Sequence, residues 1–149
     1  MKLSTRGRYG LRAMVDLAQH DGEGEILLKD VAKRQGVSLK YLEQLITPLR
    51  AAGLVRGVRG ARGGYRLARN PEDIHLVDIL QALEGSLSLA ECSDKPEECK
   101  RNRSCVTFEL WNEIHTAVLS VLAGRNLASL ARRQTELERQ SAHSLVYEI

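Results

Sequence analysis

Three cysteines are the chain's only thiols, and Cys92, Cys99 and Cys105 fall within 14 residues of one another. Six residues separate the first pair and five separate the second. Thiolates ligate zinc and iron–sulfur clusters, and a reactive thiolate also forms disulfides. No signal peptide is evident, so we expect a cytoplasmic protein whose thiols stay reduced. The odd count then favours metal or redox chemistry over structural disulfides.

Several chemistries fit this spacing, and the residues alone leave them open. The polar segment 86–104 would let three thiolates converge on one inorganic core, as an iron–sulfur cluster requires. The gaps are longer than the short cysteine pairs typical of zinc. Basic side chains between the cysteines, among them Lys95 and Arg101, would make the thiols more reactive and favour a redox switch. Inert cysteines are the remaining alternative.

The segments before the cysteines predict the elements of a winged helix-turn-helix. Apolar residues recur at helical spacing, and Gly36 and Ser38 supply a helix stop and a helix start. The predicted elements are helices over 4–20, 28–35 and 38–52, an extended segment over 54–59 and a returning strand over 65–67. Helix, tight turn, helix and hairpin is the order of that motif.

The remaining segments predict a mainly α fold with a long helix after the cysteines. A fourth helix should end at Gly85, and a longer one should begin near Cys105. Its apolar residues alternate in steps of three and four, which fits pairing with a second subunit or packing on its own domain. We divide the chain into a DNA-binding domain (1–84), a cysteine-bearing loop (85–104), a dimerisation helix with a short following helix (105–139) and a loose tail (140–149).

The third predicted helix has the two faces that a DNA-recognition helix needs. One face carries leucines and an isoleucine for the core, and the other carries Ser38, Lys40, Tyr41, Glu43 and Gln44. Gln44 suits adenine, and Glu43 suits the amino group of cytosine. Lys40 suits phosphate or guanine, and Ser38 and Tyr41 suit phosphate oxygens. The sequence therefore predicts that this helix reads a DNA groove.

The predicted hairpin adds a concentration of positive charge. Between residues 56 and 69 there are five arginines and no acidic residue. Arg59 and Arg62 lie at the turn, where an arginine suits the negative potential of a narrow minor groove. Arg8, in the first turn of the first helix, can also reach solvent and joins the predicted DNA-binding set. Residues 1–70 hold 14 Lys/Arg against 6 Asp/Glu, so positive charge is concentrated in this half.

These residues together resemble a known family of regulators, which includes the iron–sulfur cluster regulator IscR, the nitric-oxide sensor NsrR and the cysteine-metabolism regulator CymR. The resemblance covers most of residues 1–122. It is carried by Val31-Ala32, Gly36-Val37-Ser38, Tyr41-Leu42-Glu43-Gln44-Leu45, Leu49-Arg50, Gly53-Leu54-Val55, Arg59-Gly60 and Gly63-Gly64-Tyr65. It implies a homodimer, paired through the long helix, on a pseudo-palindromic DNA operator.

The resemblance also implies an iron–sulfur cluster on the three cysteines, with [2Fe–2S] favoured over [4Fe–4S]. The chain departs from its relatives in two ways that leave the fourth ligand open. Phe108 stands where IscR-like proteins have a histidine, and Arg8 and Arg12 stand where others recruit a ligand from the partner's first helix. Acidic residues are possible oxygen ligands, namely Glu91, Asp94, Glu97, Glu98 and Glu109.

The sequence therefore predicts a dimeric transcriptional regulator, a repressor or dual regulator, whose DNA affinity follows the state of a cluster. The alternative is a regulator of the same fold that responds to cysteine, sulfur or thiol-redox state without a cluster. No phosphate loop, C-x-x-C pair or nucleophile–base pair supports an enzyme. A protein-interaction module without DNA binding is disfavoured by the wing arginines. No apolar run is long enough for a membrane span.

Overall fold

Helices make up most of the computed structural model, which describes residues 2–60 and 63–147. The helices are α1 (Thr5–Gln19), α2 (Leu28–Gln35), α3 (Leu39–Ala51), α4 (Leu76–Glu84), α5 (Glu91–Asp94), α6 (Val106–Ala123) and α7 (Leu127–Tyr147). Two strands, β1 (Val55–Gly57) and β2 (Tyr65–Leu67), form one antiparallel hairpin. Within these ranges no helix combines the length and the apolar character needed to cross a membrane.

Local signals place the first three helices where the sequence predicts them. The Ser4 hydroxyl accepts a hydrogen bond from the backbone N–H of Gly7 at 3.1 Å and starts α1. Gly36 ends α2 in the left-handed conformation, at φ 66°, which glycine adopts without steric cost. Ser38 then caps α3 by accepting from the N–H of Tyr41 at 3.1 Å. A tight turn therefore separates α2 from α3, as a helix-turn-helix requires.

The hairpin that follows α3 is held against the segment between α1 and α2. Tyr65 pairs with Gly57 in β1 and also forms an isolated bridge with Ile26. The N–H of Tyr65 donates to the Ile26 carbonyl at 2.8 Å, and the reverse bond is 3.0 Å. Gly64 lies at φ 134°, and a Cβ there would lie 2.9 Å from the Glu25 Cβ. Only glycine fits this approach, which fixes the base of the wing.

Helices α1, α2, α3 and α4 share one hydrophobic core with the hairpin and the start of α7. Met14 and Leu17 of α1, Leu49 of α3 and Leu127 of α7 are all fully buried within it. The backbone N–H of Leu127 donates to the Ile74 carbonyl at 2.8 Å, which ties the start of α7 to the start of α4. The segment after residue 124 therefore completes the core of the winged-helix domain.

Helix α7 is longer than the sequence analysis predicts. The predicted helix ends at 139 and is followed by a loose tail over 140–149, whereas α7 continues to Tyr147. No glycine or proline interrupts residues 127–147, and strong helix formers predominate there. Arg133 pairs with Glu136 at 3.0 Å one turn further along, which adds local support. The prediction of a tail was wrong because helix propensity continues after the buried contacts end.

Candidate DNA-binding surface and cysteine segment

Helix α3 exposes the side chains that were predicted to read DNA. Its buried face packs into the core through Leu42, Leu45, Ile46 and Leu49. The exposed residues of the predicted set are Ser38, Lys40, Glu43 and Gln44. Ser38 contributes its side chain to the helix cap, so it is exposed but already accepts one hydrogen bond. Lys40, Glu43 and Gln44 are available to base edges and phosphates.

Tyr41 has a different role from the predicted phosphate contact. Its ring meets Tyr9 of α1 edge to face, with 6.2 Å between ring centroids. Its hydroxyl is buried and has no hydrogen-bond partner among the residues that the structure describes. In this position the hydroxyl does not face solvent, so the expected contact with a phosphate is not supported. Tyr41 instead packs α3 against α1.

Arginines flank α3 on the hairpin and on α1. Arg56 and Arg59 are exposed on the wing, as predicted for Arg59, and with Arg66 they line a cavity of about 280 Å³. The charge of Arg66 is partly neutralised by Glu25, because Arg66 Nη2 lies 3.4 Å from Glu25 Oε1. Arg8 is exposed on α1, with its guanidinium carbon 6.0 Å from the centre of the Tyr9 ring. The other predicted wing residue, Arg62, lies outside the described residues.

A buried carboxylate that the sequence analysis missed ties α1 to the helix-turn-helix. Asp16 is only 2% exposed and accepts from Arg34 of α2 at 2.6 Å and 2.9 Å. The amide of Gln35 donates to the same carboxylate at 2.8 Å, and the ring of His20 lies 3.5 Å away. The hydrogen bonds that Arg34 donates to Asp16 raise the pKa of Arg34 above its usual range. The sequence did carry one signal for this buried pair: Asp16 lies between Met14 and Leu17, which are core positions of α1, and a buried carboxylate needs a partner.

The cysteine segment is more ordered than the predicted loop, because it contains α5 and a 3-10 turn at Pro96–Glu98. Backbone hydrogen bonds from Lys95 to Glu91 and from Cys99 to Pro96 fold it back on itself. Cys92 and Cys99 consequently line the same cavity, of about 220 Å³. The other lining residues are Glu91, Lys95 and Glu98. Two of the three predicted ligands therefore share one cavity.

Cys105 lies apart from that cavity, at the N-terminal cap of α6. A hydrogen bond with the Thr107 hydroxyl, at 3.1 Å, lowers the pKa of the Cys105 thiol, and a backbone hydrogen bond from Phe108 adds to the effect. All three thiols are free and half-exposed. Across residues 2–60 and 63–147 no group of three or more His, Cys, Asp or Glu side chains is placed to hold a metal. As arranged, the cysteines have the right chemistry for a cluster but not the convergence that one needs.

Helix α6 leaves several of its apolar residues exposed, while others, such as Leu122, are half-buried. It contacts α4 and α5, yet none of its 18 residues is buried. Val106, Leu110 and Val121 are 77%, 47% and 58% exposed. An 18-residue helix with this composition is unusual on the surface of a monomer, since contiguous exposed apolar surface generally marks an interaction site.

The fold and the basic surface define a class of protein, the winged helix-turn-helix DNA-binding regulators. Comparison with known proteins identifies the family: residues 3–133 match Rrf2, described as iron-dependent transcriptional regulator. The chain belongs to this family. The prediction that it resembles the IscR, NsrR and CymR regulators is thereby confirmed, as is the prediction that it is not an enzyme.

Individual relatives cover nearly the whole chain. The protein rrf2 of Nitratidesulfovibrio vulgaris is 44% identical over 132 residues, which are 89% of this chain and 88% of that protein. The solved structure of T. potens IscR has a TM-score of 0.75 at 46% identity, and covers 92% of this chain and 90% of its own. The structure of CymR, the global cysteine regulator of B. subtilis, has a TM-score of 0.74 at 45% identity, with coverages of 89% and 98%. The predicted mainly α, winged-helix fold is confirmed by these structures.

Proposed function

We propose that the chain is a cytoplasmic repressor or dual regulator that binds a pseudo-palindromic operator as a homodimer. The observation that carries this proposal is the exposed polar face of α3 beside an arginine-rich wing, on a chain of the Rrf2 family. Lys40, Glu43 and Gln44 would contact the major groove, and Arg59 the adjacent minor groove. Arg8 and Ser38 would contact the phosphate backbone and fix the register. Arg62 is proposed to act with Arg59.

The dimer is proposed to form through α6. Its apolar residues follow the spacing of a helix–helix seam, none of them is buried, and Val121 is 58% exposed. Pairing two protomers around a two-fold axis would place two recognition helices on successive turns of one DNA face, which explains why we expect an operator with two half-sites.

DNA binding is tested by fluorescence anisotropy with a duplex that the purified protein selects from a random-sequence pool. We expect the affinity to fall steeply with salt, because each arginine–phosphate contact releases counterions. Arg59→Ala should weaken binding and make the slope of log K against log salt less negative by about 1 unit. Arg139→Ala, on the exposed end of α7, removes the same charge away from this surface and serves as the control. No binding to any duplex at low ionic strength would overturn the proposal.

For the sensory chemistry we propose an iron–sulfur cluster, [2Fe–2S] in preference to [4Fe–4S], held by Cys92, Cys99 and Cys105. The support is the family's description as iron-dependent and the presence of three free thiols in one segment. Cys105 is not on the cavity that the other two share, so holding a cluster requires the segment to rearrange or a second protomer to contribute. A bound cluster would supply a redox-sensitive inorganic centre to this segment.

A second candidate is a thiol switch without a cluster. The observation that favours it is Cys105, whose lowered pKa and half-exposed position suit a reactive thiolate. The cysteine regulator CymR is also as similar to this chain as IscR is. Anaerobic purification separates the candidates: a visible absorption band with stoichiometric iron and sulfide supports the cluster. A colourless, iron-free protein that still loses DNA affinity on peroxide treatment supports the switch.

A further inference from the structure

Arg12 of α1 holds the end of α2 through two hydrogen bonds to a single residue. Its Nε donates to Gln35 Oε1 at 3.1 Å, and its Nη2 donates to the Gln35 backbone carbonyl at 3.3 Å. Gln35 is the last residue of α2, where carbonyls have no partner within the helix. A planar guanidinium can bond both acceptors at once, whereas a lysine ammonium is a point charge without this fork.

The same glutamine is anchored in the core from its other side. Its Nε2 donates to Asp16 Oδ2 at 2.8 Å, and Asp16 is itself buried and paired with Arg34. The network therefore fixes which way the Gln35 amide points: its oxygen faces Arg12 and its nitrogen faces Asp16. Gln35 directly precedes the left-handed Gly36, and the chain enters α3 two residues later at Ser38. The direction of α3 is set at this turn.

Arg12 also reaches the recognition helix through an aromatic pair. Its guanidinium carbon lies 5.1 Å from the centre of the Tyr9 ring, and Tyr9 packs edge to face on Tyr41 of α3. Helix α1 thus holds the helix-turn-helix on both sides of its turn. Arginine over an aromatic face is favourable even at partly exposed sites.

We propose that Arg12 and Gln35 form a clamp that sets the orientation of α3, and so the specificity of DNA binding, without either residue contacting DNA. This rests on the proposed DNA-binding function. A correctly oriented α3 is needed to match side chains to base edges, but it is not needed for loose electrostatic contact with the backbone. Loss of the clamp should therefore weaken specific binding and leave non-specific binding unchanged.

The test compares two duplexes of equal length, one selected from a random pool by the wild-type protein and one of random sequence. We expect Arg12→Lys and Gln35→Ala each to weaken binding to the selected duplex about ten-fold, the size of a lost hydrogen bond to a charged group. Binding to the random duplex should change less than about two-fold, since the charge of residue 12 is kept or untouched. The double variant should bind the selected duplex about as tightly as the single variant with the lower affinity, because both changes break the same network.

Arg6→Lys on α1 and Gln81→Ala on α4, both at exposed positions, are the matched controls and should leave both affinities unchanged. Thermal unfolding of every variant checks that the fold is retained. If Arg12→Lys weakens binding to both duplexes equally, Arg12 is a contact to the DNA backbone and the clamp is overturned. Unchanged affinity for the selected duplex, or additive effects in the double variant, would also overturn the clamp. Failure of the wild type to bind any duplex would instead overturn the proposed function.

Discussion

Replacing Arg34 with methionine should destabilise the fold by leaving a buried carboxylate without its charged partner. Arg34 donates to both oxygens of Asp16, through Nη2 at 2.6 Å and Nε at 2.9 Å. Asp16 is 2% exposed, so water cannot take over these bonds. Of the partners that the described residues give this carboxylate, the Gln35 amide and the His20 ring remain in the variant. Methionine keeps much of the apolar stem of arginine, so little packing is lost.

The size of the effect follows from the exposure of the two partners. Removing one partner of a fully buried ion pair costs about 3–5 kcal/mol, mainly because the other charge stays buried and unpaired. The Arg34 side chain is 38% exposed, so solvent already screens part of the pair, and we expect the lower end, about 3 kcal/mol. Asp16→Asn in the Arg34→Met background removes the buried charge and should recover about 1–2 kcal/mol of that loss.

Denaturant unfolding at pH 7, followed by circular dichroism at one fixed protein concentration, measures these differences. Arg133→Met is the control: it breaks a pair with Glu136 in which both side chains are 58% exposed, and should cost less than about 1 kcal/mol. The decisive comparison is Asp16→Asn in the two backgrounds. If Asp16→Asn destabilises the Arg34→Met protein as much as it destabilises the wild type, the unpaired buried charge is not the cause of the lost stability.

Three other expectations follow from the structure. Gly64→Ala should destabilise the protein by about 2 kcal/mol or more, because the new Cβ strains a φ of 134° and meets Glu25; a change below about 0.5 kcal/mol in urea unfolding would contradict this. Iodoacetamide should label Cys105 before the other thiols, and the labelling rate of Cys105 should persist to lower pH than that of an ordinary free cysteine before it falls as the thiolate protonates. Thr107→Val should remove that advantage, as read by peptide mass spectrometry. Val121→Glu on α6 should shift the protein towards monomer in sedimentation, which an unaltered dimer would disprove.

The DNA-binding half could be predicted because its signals are local. Ser38 caps α3 and Gly36 ends α2 through contacts within a few residues, so both helix boundaries are written in short stretches of sequence. The hairpin follows from the glycines and the apolar strand residues around them. The buried and exposed faces of α3 follow from helical spacing alone, which is why Lys40, Glu43 and Gln44 were placed correctly at the surface.

The remaining features depend on contacts between residues that are distant in the sequence. Spacing cannot reveal that Tyr41 packs on Tyr9, or that the start of α7 bonds to Ile74. The position of Asp16 beside Met14 and Leu17 hints at burial, but helical spacing does not show that its partner is Arg34, 18 residues further along. The cysteine spacing also gave no sign that Cys92 and Cys99 would share a cavity without Cys105, because α5 and the 3-10 turn fold that segment back.

Helix α1 lies between the cysteine segment and the DNA-binding helices, so it is the element through which the proposed signal would pass. The cysteine segment continues directly from α4, and α4 packs on α1 so closely that a Cβ on Gly10 would overlap Leu83. Ser4, which caps α1, also donates its backbone N–H to Glu84 Oε1 at 3.1 Å. Regulators usually need a coupling free energy of about 1–3 kcal/mol, which is comparable to one or two such hydrogen bonds. The proposed signal would therefore need to change only contacts of this size between α4 and α1, and α1 in turn packs on α2 and α3.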